Sequence, residues 1–136
     1  MKNVWVNGCF DIVHLGHIRL LNYAKSLGDF LFVGIDGDSR VKKNKGYNRP
    51  INNQDFRKEF LSSLRAVDKV DIFNSDDQLE NLIKNYKIDT IVVGDDYLPE
   101  LVIGSKFADN VEIFVKFDSF STTTLLDKCR YLNSWK

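Results

Sequence analysis

Cysteine, proline and histidine each occur only twice in this chain of 136 residues, and methionine once. Two cysteines, Cys9 and Cys129, without any Cys-x-x-Cys spacing, exclude a disulfide framework and a clustered-thiolate metal site. With so little proline and no repeat or low-complexity tract, collagen-like and disordered chains are excluded as well. Neither sign of charge is in excess: nineteen Lys and Arg balance nineteen Asp and Glu. A net charge of zero gives no whole-molecule attraction to nucleic acid or to an anionic membrane, so any anion that binds must be caught by a local site. Long apolar runs are missing too. Stretches such as residues 30–33 fall far short of the ~20 residues needed to cross a bilayer, and the chain opens on Val4, Trp5 and Val6 with no basic-then-apolar signal pattern. The expectation is a reduced, cytoplasmic protein with no nucleic-acid or membrane partner.

What is present is ordinary globular material, 43% apolar and 28% charged, in a length that suits one domain over residues 1–136. Short β-branched or aromatic runs at 4–6, 30–35, 70–73, 90–93 and 111–115 predict five strands. Between them Leu20, Leu21, Ala24 and Leu27, then Phe56, Phe60 and Leu64, then Leu79, Leu82, Ile83 and Tyr86 follow helical spacing, and Leu125, Leu126, Cys129 and Leu132 predict a closing helix. Strands apolar on both faces that alternate with amphipathic helices imply βαβ units, hence an α/β fold with a parallel sheet covered on both sides. The polar stretch at 42–53, which holds Lys42, Lys43, Lys45, Gly46, Arg49 and Pro50, reads as a mobile loop.

Such sheets bind ligands outside the carboxyl ends of their strands, where the strand order reverses. The residues just after each strand are rich in polar groups: 7–17 after the first, 36–38 after the second, 94–97 after the fourth and 119–123 after the fifth. His14 and His17, the only histidines, stand three apart around Gly16 where the first helix begins. That spacing puts them on one helical face. The open N–H groups and positive dipole of a helix N-terminus attract an anion, Gly16 lets a phosphate approach the backbone, and two imidazoles add donors for charge that grows in a transition state. Zinc would need a third ligand, Asp11 or Cys9, and no further His or Cys cluster completes a set.

Gly8-Cys9-Phe10-Asp11 leading into His14-Leu15-Gly16-His17, with Ser121-Thr122-Thr123 opening the last helix, resembles the nucleotidylyltransferase superfamily of cytidylyltransferase-like enzymes over nearly the whole chain. Within it, Arg49-Pro50-Ile51-Asn52, Arg57, Val67-Asp68, Gly94-Asp95-Asp96-Tyr97 and Val102-Ile103-Gly104 resemble the adenylyltransferases of D-glycero-β-D-manno-heptose 1-phosphate. Tyr97 stands where glycerol-3-phosphate cytidylyltransferases usually carry Trp.

The resemblance implies a Rossmann-like, doubly wound domain with strand order 3-2-1-4-5, and transfer of a nucleoside monophosphate, AMP foremost, from a triphosphate to a sugar phosphate in the making of ADP-heptose for lipopolysaccharide. Pyrophosphate is the leaving product. It implies ATP or CTP as donor, Mg²⁺ entering with the triphosphate and no confident protein metal ligand, a sugar phosphate or phosphoalcohol as acceptor, and a homodimer; the aromatic residues Phe107, Phe114, Phe117, Phe120 and Trp135 could supply its apolar interface and could equally be core. By the same resemblance His14, His17, Lys43 and Lys45 are catalytic. Gly8, Cys9, Phe10, Gly16, Arg57, Gly94, Asp95, Ser121, Thr122 and Thr123 bind nucleotide, and Asp11, Asp36, Asp38, Asp96 and Tyr97 bind substrate. Plainer roles stand beside these: solvated lysines, a surface arginine at 57, hydroxyls capping the last helix, Asp11 capping the first or ordering the histidines, Cys9 as packing. Competing functions are glycerol-3-phosphate cytidylyl transfer, flavin mononucleotide adenylyl transfer and, from another class, a non-catalytic nucleotide-binding module.

Overall fold

The computed structural model describes residues 1–94, 101–115 and 122–133. Five strands, β1 (Asn3–Gly8), β2 (Phe30–Asp36), β3 (Lys69–Phe73), β4 (Thr90–Gly94) and β5 (Asn110–Phe114), pair in parallel in the order β3-β2-β1-β4-β5. The helices are α1 (Leu15–Ser26), α2 (Asp38–Lys45), α3 (Gln54–Ser62), α4 (Asp76–Asn85) and α5 (Thr122–Asn133), with a 3₁₀ turn at Ser105–Phe107. The expected α/β class, parallel sheet and strand order are all observed.

Side chains alternate across a strand, and each strand here feeds two cores. Val4 and Val6 of β1 join Leu31, Val33 and Ile35 of β2 on the face covered by Leu21 and Ala24 of α1 and Leu61 of α3. Trp5 and Phe32 point the other way, to Phe73, Leu79, Ile83, Ile88 and Ile91. The Trp5 ring lies over Gly34, where an added Cβ would overlap its six-membered ring, so the β1–β2 pair accepts the indole only because residue 34 has no side chain.

Two expectations are corrected. The stretch at 42–53 is not one loop: residues 42–45 finish α2, whose basic end (Lys42, Lys43, Lys45) complements the negative pole of the helix. The apolar stripe assigned to α3 is also rotated. Phe56 and Phe60 are 54% and 45% exposed, while Arg57 and Leu61, one position on, are buried. Burial of an arginine moved the inward face by one residue.

Because β1 is central, with β2 and β3 to one side and β4 and β5 to the other, the order reverses between β1 and β4. The carboxyl ends of these strands form the crevice expected to hold a ligand.

Candidate active site

A cavity of about 510 Å³ opens at that reversal. Of the residues singled out from sequence, Gly8, Cys9, Phe10, Asp11, His14, Gly16, His17, Asp36, Lys45, Gly94 and Thr123 line it. Arg19, Arg40, Lys45 and Arg49 line it as well, the carboxylates lining it among the described residues are Asp11 and Asp36, and Leu101, Val102 and Ile103 form an apolar wall. Among the described residues, cations thus outnumber carboxylates along the cleft.

The histidine pair is built by the start of α1. His14 is the N-cap, in extended backbone, and its Nδ1 accepts the Gly16 N–H at 3.1 Å. In return the His14 N–H donates to Nδ1 of His17 at 3.2 Å. This is the reciprocal arrangement of a capping box made from two imidazoles. The rings stack with centroids 3.8 Å apart and 25° between planes. With each Nδ1 committed as an acceptor, the hydrogen-bond network assigns the proton of each neutral ring to Nε2, so both rings offer an N–H donor. Phe10, at φ 50°, holds a left-handed backbone that a bulky residue rarely adopts, and its ring packs against His17 at 5.1 Å. The kink turns the phenyl group into the core, 4% exposed, where it supports the histidine.

Cys9 sits on the cavity wall. Burial pushes its thiol pKa up, only partly opposed by Lys45 and Arg57, so it is protonated at neutral pH and is no activated nucleophile.

Several expected contacts belong to the scaffold instead. Arg57, expected to clamp phosphate, is 1% exposed. Its Nε donates to Asn52 O (2.9 Å), its Nη1 to Cys9 O (2.9 Å) and Asp36 O (2.7 Å), and its Nη2 to Asp38 Oδ1 (2.8 Å). It ties the tips of β1 and β2 to the segment before α3, and it takes Asp38, expected to bind substrate, as its partner. Asp11 is equally committed. Its side chain is fully buried and accepts from the N–H groups of Ile51 and Asn52, both at 2.8 Å, and from Arg49 Nε at 3.2 Å. It does not cap α1, whose N-cap is His14. Lys43 lines an adjoining depression with Ser39, Asn74 and Asp76, which shares Arg40 and Asn44 with the cavity. Two residues apart on a helix, Lys43 and Lys45 point about 160° apart, and of the two only Lys45 lines the cavity. Asp95, Asp96, Tyr97 and Ser121, and with them Phe117, Phe120 and Trp135, lie outside the described residues, as does the side chain of Thr122.

Arg19, Arg40 and Arg49 were given no role from sequence. Arg40 had a signal, standing four residues after Asp36 at a strand tip. Its Nε meets Asp36 at 2.8 Å and its Nη2 meets Asp76 at 2.8 Å. Burial works against its charge, but these hydrogen bonds outweigh it and hold the guanidinium pKa above its usual value. Among the described residues no group of three or more His, Cys, Asp or Glu side chains is placed to hold a metal, and no helix is long and apolar enough to cross a membrane.

Comparison with known proteins identifies the family and the fold. The sequence profile of the cytidylyltransferase-like family matches residues 5–129. The chain is 46% identical over 127 residues to the bifunctional protein HldE of Campylobacter fetus, covering 93% of this chain and 28% of that one. It is 47% identical over 127 residues to the bifunctional protein HldE of Nitratiruptor, covering 93% and 27%. The chain thus spans little more than a quarter of the curated relatives it matches. Among solved structures, the lipopolysaccharide core biosynthesis protein of Thermoplasma volcanium superposes with a TM-score of 0.74 at 31% identity, over 87% of this chain and 99% of that one. Thermotoga maritima TmcAL, bound with alpha-thio ATP, shares the fold at a TM-score of 0.68 and 14% identity, over 99% and 51%.

Proposed function

Since the chain belongs to the cytidylyltransferase-like family, we propose that it transfers a nucleoside monophosphate, AMP in the first instance, from a nucleoside triphosphate to the phosphate of a sugar phosphate, heptose 1-phosphate in the first instance. The observation that carries the reading is the stacked pair His14 and His17, two Nε2–H donors fixed at the N-terminus of α1 in a cationic cleft. The name of the Thermoplasma relative, a lipopolysaccharide core biosynthesis protein, supports a sugar phosphate as the acceptor.

The reaction is an in-line displacement. An oxygen of the acceptor phosphate attacks the α-phosphorus; that P–O bond forms while the bond to the bridging oxygen breaks, and its electron pair leaves on pyrophosphate. The acceptor is already anionic at neutral pH, since phosphate monoesters lose their second proton near pKa ~6, so no strong base is required. The protein's work is alignment and charge stabilisation. His14 and His17 donate to phosphoryl oxygens as their charge grows, Lys45 adds a mobile positive charge, and the cavity wall of Gly8, Gly16 and Gly94 lets the triphosphate lie close to the backbone. Mg²⁺ fits as a passenger on the triphosphate, where it would neutralise phosphate charge; Asp36 is the lining carboxylate able to join its oxygen ligands. Use of a nucleoside triphosphate supports the cytoplasm as the place where it works. A homodimer is part of the same reading, supported by apolar Ile113 and Val115, exposed at the edge formed by β5, and light scattering would measure it.

The test is a pyrophosphate-release screen crossing ATP, CTP and GTP with heptose 1-phosphate, glycerol 3-phosphate and flavin mononucleotide. Turnover with ATP and heptose 1-phosphate is expected. Turnover with a different pair alone would replace the substrates, and silence with every pair, together with retained cellular function in His17→Ala, would replace the enzyme with a nucleotide-binding module.

A further inference from the structure

We propose that Arg49 receives the phosphate of the acceptor, and that Asp11 is the positioning residue that holds it for that task. The proposal rests on the reading above and deepens it.

In-line transfer needs two phosphorylated ligands in one cavity at the same time, and therefore two sets of donors. The imidazoles at the start of α1 are one set. On the segment that follows α2, Arg49 lines the same cavity with its side chain only 11% exposed. Its Nε is anchored on Asp11 Oδ2 at 3.2 Å, while its Nη2 is buried and has no hydrogen-bond partner among the described residues. A charged donor out of water and unmet by any acceptor is costly. Arg40 and Arg57, by contrast, place their Nη2 groups on Asp76 and Asp38. A ligand oxygen on Arg49 would supply what the protein does not.

The chemistry selects the ligand. A planar guanidinium anchored through Nε keeps its outer edge in a fixed fork, which matches two oxygens of one phosphate. A terminal sugar phosphate offers such a pair. Asp11 cannot take part directly, because its oxygens are occupied by the N–H groups of Ile51 and Asn52 as well as by Arg49. Those bonds pin the segment that carries the guanidinium, so the carboxylate acts through Arg49.

Steady-state kinetics on the 136-residue chain decide the matter, using Arg49→Lys, Arg49→Gln and Asp11→Asn with ATP and whichever phosphorylated acceptor the wild type consumes. The expected result for Arg49→Gln is a KM for the acceptor raised roughly ten- to a hundredfold, the loss of a charged hydrogen-bonded contact, with the KM for ATP within about twofold of wild type. Arg49→Lys keeps the charge without the fork and should recover only part of the loss, and it serves where Arg49→Gln fails to fold by circular dichroism. Asp11→Asn should move the acceptor KM in the same direction. A raised KM for ATP with an unchanged acceptor KM, or no change in either, overturns the role of Arg49. A wild type that ignores heptose 1-phosphate but consumes another acceptor overturns the acceptor named above and leaves this test to run on that other compound.

Discussion

His14 and His17 cap each other: the backbone N–H of His14 ends on Nδ1 of His17 while Nδ1 of His14 takes the N–H of Gly16, and the two rings lie stacked 3.8 Å apart. One side chain therefore both closes the first turn of α1 and presents a donor to the cleft. The two duties are separable by substitution. Asn at 14 can still cap the helix but has no group where Nε2 stands. His14→Asn is expected to keep its melting temperature within a few degrees, since the cap it preserves is worth only about 1 kcal/mol, and to lose roughly 10²- to 10³-fold in kcat, the usual cost of one transition-state donor. His14→Ala should lose both. Thermal melts beside turnover numbers check this, and full activity in His14→Asn would remove the imidazole from the chemistry.

Lys45 and Lys43 should behave differently although they are near neighbours in sequence. Lys45 lines the cleft and Lys43 the depression adjoining it. Lys45→Ala is expected to lower kcat by about 10²-fold. Lys43→Ala, an exposed surface change, should stay within about 0.5 kcal/mol of wild-type stability and close to wild-type turnover. Equal losses at both positions would contradict the assignment.

Arg57 should register as a stability residue. Its removal leaves the carbonyls of Cys9, Asp36 and Asn52 and the carboxylate of Asp38 without their shared donor. Arg57→Gln should destabilise by roughly 2–4 kcal/mol in urea unfolding. An Arg57→Gln protein of unchanged stability would contradict the scaffold role.

Acid should weaken one crossing between elements. Asp68 takes the Lys25 ammonium at 2.6 Å and the Leu31 N–H at 2.7 Å, and these bonds outweigh burial and lower its pKa. A carboxylate depressed in the fold contributes stability that is present above its unfolded pKa and disappears as pH falls through the folded value. The stability difference between wild type and Asp68→Asn should therefore be full at neutral pH and shrink below about pH 4, where the unfolded carboxylate begins to bind its proton. Urea midpoints across pH 3–7 measure it.

Much of the architecture was legible because it follows period and composition. Each strand carries an apolar run, and the two-sided burial of Val4, Trp5 and Val6 is what a central parallel strand requires. The helix α2 escaped because Asp-Ser-Arg-Val-Lys-Lys-Asn-Lys holds a single apolar residue, Val41, and so shows no stripe. At α3 the pair Phe56 and Phe60 imitates a buried face, while the residue that is buried there is an arginine whose acceptors lie 5, 19, 21 and 48 residues away in the chain. No local pattern reports such a convergence. The histidine pair could be read from spacing, and the arginines of the cleft could not, because a pattern of charges does not tell which one faces inward.

The arrangement around Asp11 also divides the cleft by the depth of its anchorage. β1, beneath one wall, is bonded to strands on both sides, so the amides of Val4–Val6 open only when the whole molecule does and should be among the slowest to exchange with deuterium. The opposite wall at 49–52 pairs with no strand among the described residues, and the N–H groups of Ile51 and Asn52 end on one carboxylate. Those amides should exchange early, and binding of a phosphate at Arg49 would be visible as their slowing before any change reached the sheet.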